Sequence, residues 1–128
     1  TDSGCDFSRA IEAYKDVKIV PLLFRFGTEE FPDKSIPMAQ FLERLEKTWP
    51  TTSAPSPGDY IQAIRESLVD HDQVLVMTIS GKHSASYTSA LLASQQFPNG
   101  QVAAMSGAGQ DASLRLCVEI HQHVTAHQ

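Results

Sequence analysis

The chain is poor in cysteine, in basic residues and in long apolar runs, and each shortage removes a class of protein. Cys5 and Cys117 are the only cysteines in 128 residues; two are too few for a disulfide framework and imply a reducing, cytoplasmic setting. Ten Lys and Arg against fifteen Asp and Glu give a formal net charge of −5. The basic residues are also scattered, which excludes a nucleic-acid groove, because phosphate binding relies on clustered Lys and Arg. The apolar run "IVPLL" at 19–23 falls far short of the ~18 residues that mark a membrane span. No signal peptide is visible. The opening "TDSGCD" has no Met and no apolar segment before it, which points to a trimmed chain.

Small hydroxyl side chains, by contrast, are abundant, and they gather in two places. "TTSAPSPGDY" at 51–60 holds four small hydroxyls, the Tyr60 phenol and two prolines, and "SGKHSASYTSALLA" at 80–93 leads small hydroxyl residues into an apolar run. With 41% hydrophobic residues, a chain of this length buries a real core and fits one domain.

Around those clusters the pattern alternates between strand and helix. "FSRAIEAYK" reads as a helix capped by Ser8, and "VKIVPLLFRF" as a strand with an edge or bulge at Pro21. "GTEEFPDKS" continues as a turn or hairpin. "PMAQFLERLEKT" puts Met38, Phe41, Leu42 and Leu45 on one helical face. In "SPGDYIQAIRESL", Ser56 is the N-cap, Pro57 takes the first helical position and Asp59 suits the positive helix end. "QVLVMTI" is a strand buried on both faces, "SASYTSALLASQQF" a helix, "GQVAAM" a short strand and "DASLRLCVEIHQHV" a final helix. The fold class is α/β, a mainly parallel sheet flanked by helices. Ligands of such sheets sit beyond the carboxyl ends of the strands. Ser80 to Ser84 follow one strand there, and Ser106 to Gly109 another.

Motif order and spacing over nearly the whole chain resemble the DegV family, bacterial fatty-acid-binding proteins that include the FakB subunits of fatty acid kinase. The similarity rests on "TDSGCD" (Thr1, Asp2, Ser3 and Asp6), "IVPLLF", "TSAPSPGDY" from Thr52 and "SGKHSASYTSA" from Ser80 to Ala90. Two departures stand out. Ser84, Ala85 and Ser86 replace a usual Ser-Gly-Thr, and Met105 precedes Ser106 where the family has Asp-Ser. The resemblance implies that residues 1–128 are a single DegV-like N-terminal domain, with the family's second, lipid-covering domain absent. It also implies that Thr52 and Ser84 hold a fatty acid carboxylate, with Ser53 and Ala85 beside them and Asp2, Ser3 and Ser106 at the pocket edge. The implied partner is a kinase that makes acyl-phosphate; no metal or catalytic residue is implied, and the long-chain fatty acid is the ligand rather than a cofactor.

The residues suit that role. A carboxylate accepts several hydrogen bonds, and a helix N-terminus offers free N–H groups at the positive end of its dipole. Ser84 is expected to open the helix, and Thr52 to reach in from a loop held by Pro50 and Pro55. Each hydrogen bond to a charged head contributes roughly 1.5–3 kcal/mol, while ten buried methylenes contribute about 8. The tail therefore dominates affinity and the head sets orientation. Ala85 is harmless if it lies in the first helical turn, and costly if the backbone there needs positive φ.

Plainer readings exist for each feature. Ser84 and Ser56 are both natural caps; the motif match assigns function to Ser84 and leaves Ser56 a cap. "SGAGQDA" at 106–112 contains G-x-G-x-x-A, but lacks room for the following strand and acidic residue of a dinucleotide fingerprint, so a tight turn is expected. Glu119, His123 and His127 share a helix face but make an incomplete metal set. His71 and His83 lack compelling partners. A serine hydrolase built on Ser84 and His83 is the rival enzyme, though neighbours in sequence rarely orient as a pair and no G-x-S-x-G elbow occurs. A third reading is an interaction domain without lipid, self-associating through exposed Leu91, Leu92 and Phe97.

Overall fold

The computed structural model describes residues 1–4, 15–98 and 100–107. The expected helix after Ser8, the "GAGQDA" turn beyond Gly107 and the final helix with Glu119, His123 and His127 lie outside the described residues.

Pro21 divides the first strand run. It has no N–H to donate, and the chain changes partners there. Before it, Val20 pairs in parallel with Asp2: Ser3 N donates to Val20 O at 3.1 Å and Val20 N to Thr1 O at 2.8 Å. After it, β1 (Leu23–Phe26) turns back antiparallel into β2 (Glu29–Pro32). The two-residue connection starts at Gly27, whose φ of 61° is what a hairpin turn of the primed class demands of its first central residue. β3 (Thr51–Ser53) adds to the other side of β1, giving the order β2-β1-β3.

α1 (Met38–Lys47) packs on this small sheet. Phe41 stands edge-on to Phe24 at 5.1 Å and to Phe26 at 5.7 Å between ring centroids. Arg44 lies over the Phe31 ring at 5.0 Å and pairs with Glu29. The expected apolar face is only partly used: Met38 and Leu42 stay exposed, because three short strands offer too narrow a surface for the whole stripe.

The second layer is the expected β-α-β unit. α2 (Pro57–Ser67) begins with a capping box: Ser56 Oγ accepts from Asp59 N at 3.2 Å, and Asp59 Oδ2 accepts from Ser56 N at 2.8 Å. β4 (Val74–Thr78) and β5 (Val102–Ser106) pair in parallel, Val74 opposite Val102 and Thr78 opposite Ser106, with α3 (Ser86–Ser94) between them in sequence. Val76, Met77 and Thr78 are buried, as a doubly covered strand requires. The core joins Val20, Tyr60, Ile64, Val76, Ala90 and Ala93. The two alanines are fully buried, so α3 lies close against its neighbours. The chain is therefore α/β with a parallel strand pair, and an antiparallel three-stranded sheet beside it. No helix among the described residues is long and apolar enough to cross a membrane.

Candidate functional site

The carboxyl ends of β4 and β5 meet where expected. Gly107 N donates to Thr78 O at 2.9 Å, and Gly81 N donates to Ser106 Oγ at 2.8 Å. Ser106 thus ties the Ser80–Ser84 loop to the end of β5. The loop is wound on Ser80: its carbonyl accepts from His83 N at 3.0 Å and Ser84 N at 3.1 Å, and its hydroxyl accepts from Lys82 N. A Cβ at Gly81 would stand 3.2 Å from Tyr87 side-chain atoms and 3.3 Å from Ser106 Oγ, so glycine lets the loop close over α3.

Ser84 does not open the helix. α3 begins two residues later, with Ala85 at the N-cap position and no side-chain cap. Ser84 is half-buried and bonds locally instead: its Oγ accepts from Ser86 N at 3.1 Å and lies 2.9 Å from Ser86 Oγ. Short i to i+2 hydroxyl bonds of this kind compete with the helical ladder and delay its start. Ala85 has φ −74° and ψ −2°, ordinary right-handed backbone, so its methyl is unstrained.

Asp2 and Ser3, expected at the pocket edge, are buried beneath the loop. Ser3 Oγ accepts from Leu22 N at 2.9 Å, next to the proline break. Asp2 is 0% exposed; its Oδ2 accepts from Ile79 N at 2.9 Å and its Oδ1 from Gly4 N at 3.2 Å. Burial pushes the Asp2 carboxyl above its ordinary value. The N–H of Ile79, the chain's amino-terminal charge, the N–H of Gly4 and the Ser86 hydroxyl pull the other way. Sequence reasoning missed the burial of Asp2 and its bond to Ile79, 77 positions away.

Thr52 and Ser53 lie on a strand rather than in a loop. Thr52 pairs with Phe24 and Ser53 with Leu23, and all three residues of β3 are exposed. Among the described residues no hydrogen bond joins either side chain to Ser84; the capped start of α2 follows β3 directly. The rival Ser84–His83 pair is not formed, since the Ser84 hydroxyl is engaged with Ser86. His71 does have a partner, Asp16, at 3.2 Å. Among the described residues no group of three or more His, Cys, Asp or Glu could hold a metal ion. An apolar cleft bordered by Phe24, Phe31, Ile36, Met38 and Phe41 is not bordered by Ser84 or Thr52.

Residues 1–123 match the model of a family described as "Uncharacterised protein, DegV family". A DegV domain-containing protein of Clostridium perfringens is 30% identical over 121 residues, which is 92% of this chain and 43% of that protein. A solved structure described as fatty acid binding of a DegV family protein from Thermus thermophilus is similar with TM-score 0.79 and 31% identity, over 94% of this chain and 46% of that one. The Fatty Acid Kinase B3 protein of Streptococcus pneumoniae, solved loaded with linoleic acid, shares the fold with TM-score 0.69 and 24% identity, over 95% of this chain and 47% of that one. The chain spans less than half the length of these three proteins.

Proposed function

Since the chain belongs to the DegV family, we propose that it binds a long-chain fatty acid, with the carboxyl head at the Ser84 loop and Thr52 as a second hydroxyl. The observation that carries this reading is the position of Ser84. Its hydroxyl stands half-buried beyond the carboxyl end of β4, two residues before α3, in a loop held by Ser80 and Ser106. The fatty acid named for the Thermus thermophilus relative supports the same ligand class. The exposure of Thr52 on β3 supports its part in this reading.

Within this chain the residues proposed for the head, Ser84 and Thr52, are neutral hydroxyls. The head is therefore oriented without being locked in an ion pair, and stays open to phosphorylation by a separate kinase subunit. In this reading the chain binds and presents; it does not itself catalyse. Most of the affinity comes from the tail, whose cover is supplied by the part of the family's architecture that this chain does not span. An interaction domain is the second reading, favoured by Leu91 and Leu92, 38% and 49% exposed on α3; Phe97, grouped with them by sequence, packs against the core instead.

Mass spectrometry of organic extracts from the purified protein tests the first reading. A stoichiometric long-chain fatty acid is expected, and acyl-phosphate on adding ATP and a fatty acid kinase subunit. Absence of lipid, with no uptake of added palmitate, leaves the interaction domain.

A further inference from the structure

The loop that carries Ser84 makes its own turn, but its place over the sheet is set from outside. Within the loop, Ser80 accepts from Lys82 N, His83 N and Ser84 N. These bonds fix the shape of the turn and not where it stands. The bond that reaches another strand is Gly81 N to Ser106 Oγ, 2.8 Å long across 25 positions of sequence. An amide N–H can only donate, so Ser106 is the acceptor, and its own proton goes to Gly107 O at 3.4 Å. Ser106 is itself held in register opposite Thr78 at the end of β5, where Gly107 N closes on Thr78 O at 2.9 Å. The approach is close: a Cβ at Gly81 would stand 3.3 Å from Ser106 Oγ and 3.2 Å from Tyr87 Cβ. A side chain there would force the loop and Ser106 apart.

We propose that Ser106 is a positioning residue for the head site: through Gly81 it latches the Ser84 loop to the end of β5 and holds the Ser84 hydroxyl where it meets the ligand. This rests on the fatty-acid reading and deepens it. Ser106 acts on the head without touching it, unlike the pocket-edge contact that the motif resemblance implies. Both Gly81 and Ser106 are exposed, so when the latch is broken water takes over the Gly81 N–H and the fold loses little. What is lost is the fixed place of Ser84. A hydroxyl that must be brought into position on binding contributes less than one already there, because its loop has to be ordered at that moment. The loss is bounded by what the Ser84 hydroxyl itself contributes.

Palmitate affinity, read by calorimetric titration, tests this in a double-mutant cycle of Ser106→Ala and Ser84→Ala. In the wild-type background Ser106→Ala should weaken binding about fivefold. Once Ser84 is alanine nothing remains to be positioned, and Ser106→Ala should change affinity by no more than about twofold. Ser106→Thr keeps the accepting hydroxyl and should bind as the wild type does. Gly81→Ala pushes the loop off Ser106 from the other side and should reproduce the Ser106→Ala loss; it takes the place of Ser106→Ala in the cycle if that variant does not fold. A merely structural role, or a direct contact between Ser106 and the head, would lower affinity by the same factor in both backgrounds. Equal factors, or no loss in Ser106→Ala, overturn the proposal. If the wild type binds no palmitate, the fatty-acid reading fails and this proposal with it. If Ser84→Ala binds as the wild type does, the head is not at Ser84 and both fail. If Ser84→Ala weakens binding and Ser106→Ala is silent or additive, this proposal alone fails.

Discussion

Ser84 carries the proposed function on one hydroxyl, so single-atom changes are informative. Ser84→Ala and Thr52→Ala should each weaken fatty acid binding about tenfold, the equivalent of ~1.4 kcal/mol, with little change in melting temperature. Calorimetric titration with palmitate, alongside thermal melts, checks both halves of that statement. Asp2 makes a separate prediction about pH. Its carboxyl is raised from 3.8 by burial, so the native protein holds this proton to higher pH than the unfolded chain does. The stability it contributes is complete below the ordinary value and is lost as the pH rises through the raised one. Asp2→Asn has no such proton. Urea denaturation at stepped pH should therefore show wild type losing stability relative to Asp2→Asn as pH rises from below 3.8; a pH-independent difference would contradict the assignment. Neither the burial of Asp2 nor its bond to Ile79 was legible in sequence. Asp2 and Ile79 are 77 positions apart, and no periodicity announces a contact of that kind.

Elements differ in how openly the sequence declared them. The start of α2 was legible in Ser56, Pro57 and Asp59, which act through local geometry alone; the capping box that Asp59 closes goes beyond the dipole role read for it. β4 was legible as a continuous apolar run. β3 was not: three hydroxyl residues have no apolar alternation, and what makes them a strand is their ladder with Leu23, Phe24 and Arg25. The start of α3 was displaced by two residues for the opposite reason, a local bond from Ser86 N to Ser84 Oγ that competes with the helix. The place of α3 against the sheet depends on Ala90 and Ala93, both fully buried. Ala90→Leu overfills that contact, should cost roughly 1–3 kcal/mol, and should lower lipid affinity as well by shifting the start of α3, where Ser86 holds Ser84. Denaturation and lipid binding measured on the same variant check the coupling; unfolding at lower denaturant with unchanged affinity would separate the helix from the site.

At the scale of the whole molecule, composition and alternation were enough to read an α/β domain, and motif order was enough to read the family. The geometry between motifs was less open. Ser84 bonds Ser86, Gly81 ties their loop to Ser106, and Asp2 bonds Ile79 just before that loop, whereas Thr52 belongs to the antiparallel layer. The account therefore requires that two layers of the fold address one ligand head. Palmitate labelled with carbon-13 at the carboxyl gives the most direct measure of that. Bound to the wild-type protein, its carboxyl resonance should shift from the free position, and both Ser84→Ala and Thr52→Ala should shift it again. A bound resonance that neither substitution moves would place the head elsewhere and contradict the account.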